Sequence, residues 1–261
     1  MNNSAPGPTG IPYIALKNLT EHNLQHILKL FNLILQTGNT PREWSNGTIY
    51  PIPKPKDWEN NINITRPITL LESIRKIFTK CINDRLSLVL TNHPILSPHN
   101  WAVLSGSSTQ EPIHIIQAII EDAKDYNRQA WILSLDMSKA YDSVNNTMLY
   151  KALQRVKVSA KITQIIQSLL TVRKNTVITV FGPTSEYIVQ DGIDQGDTIS
   201  PLLWRIFYDP LLSYIDNKYE GYTLSATTCA DIREGEHMIQ EEVKITAFMD
   251  DITITKNQCK H

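Results

Sequence analysis

The chain has 261 residues, 41% of them apolar and 20% charged, enough to bury a substantial core as one large domain or two closely packed subdomains. Its formal net charge of −1 excludes polyanion binding through an overall basic excess, so any nucleic-acid contact must use local basic surfaces. No apolar run approaches the roughly 18 residues of a membrane span, the first residues lack the charged and apolar regions of a signal peptide, and Cys81, Cys229 and Cys259 show no metal-ligand spacing, which fits reduced thiols in an intracellular protein.

In chain order, a Pro/Gly-rich start (Pro6 to Pro12) precedes a helix carrying Leu24, Ile27, Leu28, Phe31 and Ile34, ended by Thr37-Gly38. Helices are predicted from about Glu72 to Leu90, from Pro112 to Tyr126, and around Ile162 to Leu170. Between the last two, Trp131 to Leu135 reads as a short buried strand that stops at Asp136, before a turn and a helix-like stretch. Thr176 to Phe181 and Glu186 to Gln190, joined through Gly182 to Ser185, read as a hairpin. The polar Gly192 to Asp197 loop leads into a helix, with Ser200 as N-cap, Pro201 in its first turn and an apolar run to Tyr214. Ala226 to Glu242 is polar, carries Gly235 and reads as a flexible insertion.

Near the C-terminal end, Phe248-Met249-Asp250-Asp251 lies between Lys244 to Ala247 and Ile252 to Thr255, the pattern of a hairpin with acids at its tip. By itself the pair fits a solvated turn as well as a metal site. Adjacent like charges repel, and a divalent cation relieves the repulsion. Asp136 likewise reads equally as a helix cap or as a ligand. Taken together, one acid after one strand and two on a neighbouring hairpin suit two magnesium ions acting at a phosphate.

These segments resemble the reverse transcriptases of non-long-terminal-repeat retroelements and, more broadly, the right-hand polymerase palm. Asp136 to Asp142, Gln195 to Leu203 and Phe248 to Asp251 match the family's motifs A, B and C in order. Pro6 to Pro12, Ile49 to Lys56 with Thr65 to Leu70, and Asn100 to Ala102 with Gly106 to Thr109 match its upstream motifs. Three positions depart from the pattern: Met249 replaces the small residue usual in this group, Thr9 an acid, and Val103 to Ser105 a glycine-aromatic stretch.

The resemblance implies an α/β (α+β) fold of fingers (mainly 1 to about 130) and palm (mainly 131 to 261), with an antiparallel palm sheet. It implies an RNA-directed DNA polymerase that transfers deoxynucleotides onto a primer 3′-hydroxyl by two-metal chemistry. Asp136, Asp250 and Asp251 would be catalytic and hold two Mg2+ ions, with Mn2+ as a substitute. Arg66 and Lys54 would grip the triphosphate, Tyr141 would reject a 2′-hydroxyl, and Gln195 and Gly196 would line the nucleotide pocket. The partners implied are an RNA template and a nucleic-acid primer, and no membrane.

Basic residues Lys151, Arg155, Lys157, Lys161, Arg173 and Lys174, with no acid among them, form a candidate template track, and solvated charge accounts for them equally well. Lys54, Lys56, Arg66, Arg75, Lys76, Lys80 and Arg85 form a second basic region. The sequence stops shortly after motif C, so thumb, endonuclease and ribonuclease H segments are expected to lie outside it. The alternative is a non-catalytic remnant or RNA-binding scaffold.

Overall fold

A computed structural model describes residues 5–55, 61–104, 106, 108–228 and 237–257. Lys56, Ser105, Ser107, Cys229 and Cys259, named above, lie outside the described residues. The helices are α1 (Tyr13–Lys17), α2 (Glu21–Thr37), α3 (Ser73–Asn92), α4 (Gln110–Asp125), α5 (Asn146–Arg155), α6 (Ala160–Leu170) and α7 (Ser200–Lys218). The strands are β1 (Asn46–Pro53), β2 (Thr65–Leu70), β3 (Ala130–Asp136), β4 (Arg173–Thr179), β5 (Gly182–Pro183), β6 (Tyr187–Val189), β7 (Tyr222–Thr228), β8 (His237–Val243), β9 (Ile245–Phe248) and β10 (Asp251–Asn257). The mixed helix-and-sheet class follows the expectation. None of the described helices is long and apolar enough to cross a membrane.

Two compact units form, each from two chain segments: Met1–Leu86 with Tyr141–Phe207, and Ser87–Ala140 with Tyr208–His261. In the first, β1 pairs antiparallel with β2 and parallel with β4, and β4 also pairs with β5 and β6. Its core includes a cluster of Phe31, Trp44 and Phe78 and the apolar stripes of α5 and α6. Burying one such side chain contributes about 1.5–3 kcal/mol. Helix α2 shows how sequence sets its limits. Thr20 accepts from the Asn23 N–H at the N-terminus, and Gly38 takes the left-handed conformation (φ 77°) at the end. The Pro6 to Pro12 segment is held at Glu72, whose two carboxylate oxygens accept from the Thr9 N–H and hydroxyl. A threonine therefore suffices there, as a donor to an acid on the partner segment.

The second unit contains an antiparallel sheet in the order β3-β10-β9 and the β7–β8 hairpin. Tyr222 on β7 donates to Asp122 on α4 (2.6 Å), tying hairpin to helix. The β7–β8 pairing corrects one expectation: residues 222–228 and 237–243 are paired strands, and only 229–236 lie outside the described residues. The polar residues of this two-stranded ribbon resemble loop composition. A second correction concerns β3, expected to be buried. Residues 131–136 are exposed on both faces, and β3 is an edge strand bonded only to β10 among the described strands. In the 173–189 hairpin, the chain turns at Val180-Phe181, and Gly182-Pro183 already pairs with β4. There the Thr179 hydroxyl accepts from the Phe181 N–H and donates to the Gly182 carbonyl, closing a tighter turn than the glycine and proline suggested.

Candidate active site

The second unit gathers the three acids that the sequence singles out. β3 and β10 run antiparallel, and Asp136 at the end of β3 stands directly opposite Asp251 at the start of β10. Asp250 occupies the turn between β9 and β10 beside Met249, whose φ of 57° is uncommon for a residue with a side chain. This left-handed residue lets Phe248 pair with Asp251 and brings two successive acids around a two-residue turn. On the far side of β9, the Ala247 N–H donates to the His99 carbonyl (2.7 Å), and the Trp101 N–H donates to the Ala247 carbonyl (2.9 Å). Thus β9 is bonded on both edges, which fixes the turn from below.

The electrostatics follow the placement. Asp251 has its carboxyl pushed above the ordinary carboxylate range by partial desolvation first, then by the charges of Asp250 and Asp136. Asp136 and Asp251 are exposed and Asp250 is half-buried, so all three can reach a solvent-borne ion. Among the described residues, no three carboxylate, imidazole or thiol side chains converge closely enough to bind an ion as they stand. The chemistry of the three acids fits a hard divalent cation: oxygen donors only, and mutual repulsion that a cation relieves. The helix-cap role is excluded for Asp136. Helix α5 starts ten residues later, and its N-cap is Asn145, which accepts from the Met148 N–H.

The first unit carries the other predicted site residues. On the β1–β2 ribbon Arg66 is opposite Ile52, and the Lys54 N–H donates to the Ile64 carbonyl. Lys54 and Arg66 are therefore diagonal neighbours on one face, and both are exposed. The loop from Asp191 to Asp197 is bound to the same ribbon, because the Thr69 N–H on β2 donates to the Gln195 carbonyl at 2.7 Å. Gly196 (φ 143°) packs so closely that a Cβ there would collide with the Thr69 carbonyl. Tyr141 is half-buried, its ring 6.2 Å from that of Trp204, and its carbonyl accepts from the Ile193 N–H (3.0 Å). Lys54, Arg66, Tyr141, Gln195 and Gly196 thus share one unit, and Asp136, Asp250 and Asp251 share the other.

Two basic residues do not serve the surfaces suggested for them. Arg173, at 2% exposure, lies in a buried ion pair with Asp194, and Arg75, at 1%, pairs with Asp194 and Asp197. Both are unavailable to a phosphate backbone. Lys151, Arg155, Lys157, Lys161 and Lys174 remain exposed. Sequence reasoning missed this ion network. Its one signal was two acids placed within a loop otherwise flanked by apolar residues.

Comparison with known proteins matches residues 52–261 to the family described as "Reverse transcriptase (RNA-dependent DNA polymerase)". Among curated relatives, the chain is 29% identical over 231 residues to the probable RNA-directed DNA polymerase from transposon X-element of Drosophila melanogaster, covering 88% of the chain and 25% of that protein. It is 27% identical over 257 residues to a retrovirus-related Pol polyprotein from a type-1 retrotransposable element R2 of Popillia japonica, covering 97% of the chain and 33% of the relative. The chain thus spans between a quarter and a third of these relatives. The structure of apo telomerase from Candida Tropicalis, truncated from its C-terminal domain, superposes with a TM-score of 0.55 at 14% identity, over 90% of this chain and 49% of that one. That likeness concerns the fold.

Proposed function

Because the chain belongs to the reverse transcriptase (RNA-dependent DNA polymerase) family, we propose that it is the polymerase segment of a non-long-terminal-repeat retroelement protein, extending a nucleic-acid primer with deoxynucleotides on an RNA template. The observation that carries this reading is the opposition of Asp136 and Asp251 across the β3–β10 ladder, with Asp250 in the adjoining turn. These three carboxylates would hold two Mg2+ ions, with Mn2+ as a substitute. Such ions, when bound, supply Lewis-acid stabilisation of charge on the attacking and leaving oxygens.

The remaining work falls to the chain itself. Arg66 and Lys54, side by side on the exposed ribbon face, bind the triphosphate, the guanidinium by paired hydrogen bonds. Tyr141 occupies the space a 2′-hydroxyl would need. Gln195 and Gly196 line the pocket for the incoming nucleotide and template base, held there by the bond from the Thr69 N–H to the Gln195 carbonyl. In this reading residues 1 to about 130 are mainly fingers and 131 to 261 mainly palm. The exposed Lys151, Arg155, Lys157 and Lys161 on and beside α5 and α6 suit the backbone of a template.

The test is incorporation of a single deoxynucleotide on a primed RNA template with Mg2+. Asp250→Ala should lower the rate by on the order of 10³-fold or more. Equal signal from both proteins would leave an RNA-binding scaffold as the better account.

A further inference from the structure

Four charged side chains are buried together in the first unit: Arg75, Arg173, Asp194 and Asp197, each with no more than 3% of its side chain exposed. From α3, Arg75 Nη2 donates to Asp194 Oδ2 (2.9 Å) and to Asp197 Oδ2 (2.8 Å), and its Nη1 donates to the Trp44 carbonyl (2.5 Å). From β4, Arg173 Nη1 donates to Asp194 Oδ1 (2.7 Å), and its Nη2 donates to the carbonyls of Asp191 (2.7 Å) and Gly192 (2.6 Å). The Thr79 hydroxyl donates to Asp197 Oδ1 (2.6 Å). All four carboxylate oxygens are satisfied and the charges cancel.

Apolar residues of similar volume stabilise a core as well as or better than such a network, so stability alone does not account for it. Its placement does. The two acids and both carbonyls reached by Arg173 belong to one loop, Asp191 to Asp197. The same loop is bonded at Gly192 N–H to the Val144 carbonyl (2.7 Å), at Ile193 N–H to Tyr141, and at the Gln195 carbonyl to Thr69. Nearly every residue of the loop is committed. The Gln195 side chain, by contrast, has no hydrogen bond among the described residues, and Gly196 is exposed.

We infer that Arg75 and Arg173 are positioning residues for the nucleotide pocket: acting through Asp194 and Asp197, they hold the Asp191 to Asp197 loop so that Gln195 and Gly196 keep register with Thr69 on the strand that carries Arg66. The catalytic part of this inference rests on the polymerase reading above, and the mechanical part does not. Lysine cannot replace Arg75 here, because a point charge cannot bond both acids and the Trp44 carbonyl in one plane. Thr79→Val is the milder change, removing one donor from Asp197 while leaving the ions in place, and Thr79→Ser restores it.

Two measurements on the whole chain test the inference. The first is amide hydrogen exchange, which does not require activity. In Arg75→Lys and Thr79→Val, exchange at Gly192, Ile193, Asp197 and Thr69 should accelerate about tenfold or more relative to amides of α6, and Thr79→Ser should return it to the unmodified rate. Uniform acceleration across the unit, or none, overturns the positioning role. The second measurement is single-nucleotide incorporation below the melting range of every variant. The KM for deoxynucleotide should rise about tenfold in Thr79→Val with a smaller change in kcat, and Thr79→Ser should restore it. An unchanged KM, with activity still above that of Asp250→Ala, overturns the positioning role and leaves the polymerase reading standing. Activity of the unmodified protein no greater than that of Asp250→Ala removes the polymerase reading, and the exchange result then decides the mechanical claim.

Discussion

At the scale of single residues, two positions carry steric arguments with opposite readouts. Tyr141 is held by contact with the Trp204 ring and by its carbonyl bond to Ile193, so its side chain has little freedom to move aside. Tyr141→Ala should raise the use of ribonucleotides relative to deoxynucleotides by roughly tenfold or more in a competition assay. An unchanged ratio would remove the gate role. Gly196 is the reverse case, where adding one methyl is the perturbation. With φ at 143° and the Thr69 carbonyl against the missing Cβ, Gly196→Ala should cost about 1–3 kcal/mol of stability, read as a lower Tm. A Tm matching the unmodified protein would show that the loop can shift freely. The placement of Asp136, Asp250, Asp251 and Gly196 was legible in the sequence because its signals are local: acids at a strand end and a hairpin turn, and a glycine in a polar loop. Arg75 and Arg173 were not. Their partners lie more than a hundred residues away in one case, and a lone arginine in a helix or strand has no pattern that announces burial.

At the scale of elements, the Asp191 to Asp197 loop has a pH dependence that follows from its charges. Burial disfavours the charged form of Asp194, yet Arg75 and Arg173 outweigh it and hold the carboxyl below its ordinary value of 3.8. A carboxyl depressed on folding contributes stability that is present above the unfolded value and is lost as pH falls through the folded one. Asp194→Asn should therefore cost about 3–5 kcal/mol near neutral pH by leaving the buried Arg173 without its carboxylate partner and Arg75 with Asp197 alone. The Tm gap between the two proteins should narrow once the pH drops below about 4. A gap independent of pH would argue that shape rather than charge matters there. Helices α2, α3, α4 and α6 were predictable because their apolar stripes and end signals repeat over several turns. The strands fared differently. β3 looks apolar enough to be central yet is an edge, because sequence reports hydrophobicity and not which neighbours a strand finds. β7 and β8 are too rich in polar residues to announce themselves as strands.

At the scale of the whole molecule, the exposed apolar run on β3 is at odds with a solvated exterior. Trp131, Ile132, Leu133 and Leu135 are 64%, 41%, 53% and 40% exposed along one edge strand. Edge strands of this kind invite pairing with other chains. Leu133→Lys should change the unfolding free energy by less than about 0.5 kcal/mol and reduce concentration-dependent light scattering. A large loss of stability would mean that the strand is packed after all.

The parallel pairing of β1 with β4 has a further consequence. Asn46 to Ile49 bond to Lys174 to Val177, and the Ser87–Ala140 segment of the other unit lies between them in sequence. As the chain leaves the ribosome, β1 and β2 emerge as an isolated antiparallel ribbon, too small to be stable alone. It must wait while more than a hundred further residues are synthesised, several seconds or more at about 5–20 residues per second. Every intramolecular partner of that ribbon in its own sheet arrives late, which makes the nascent chain dependent on whatever protects an unpaired strand in the interval.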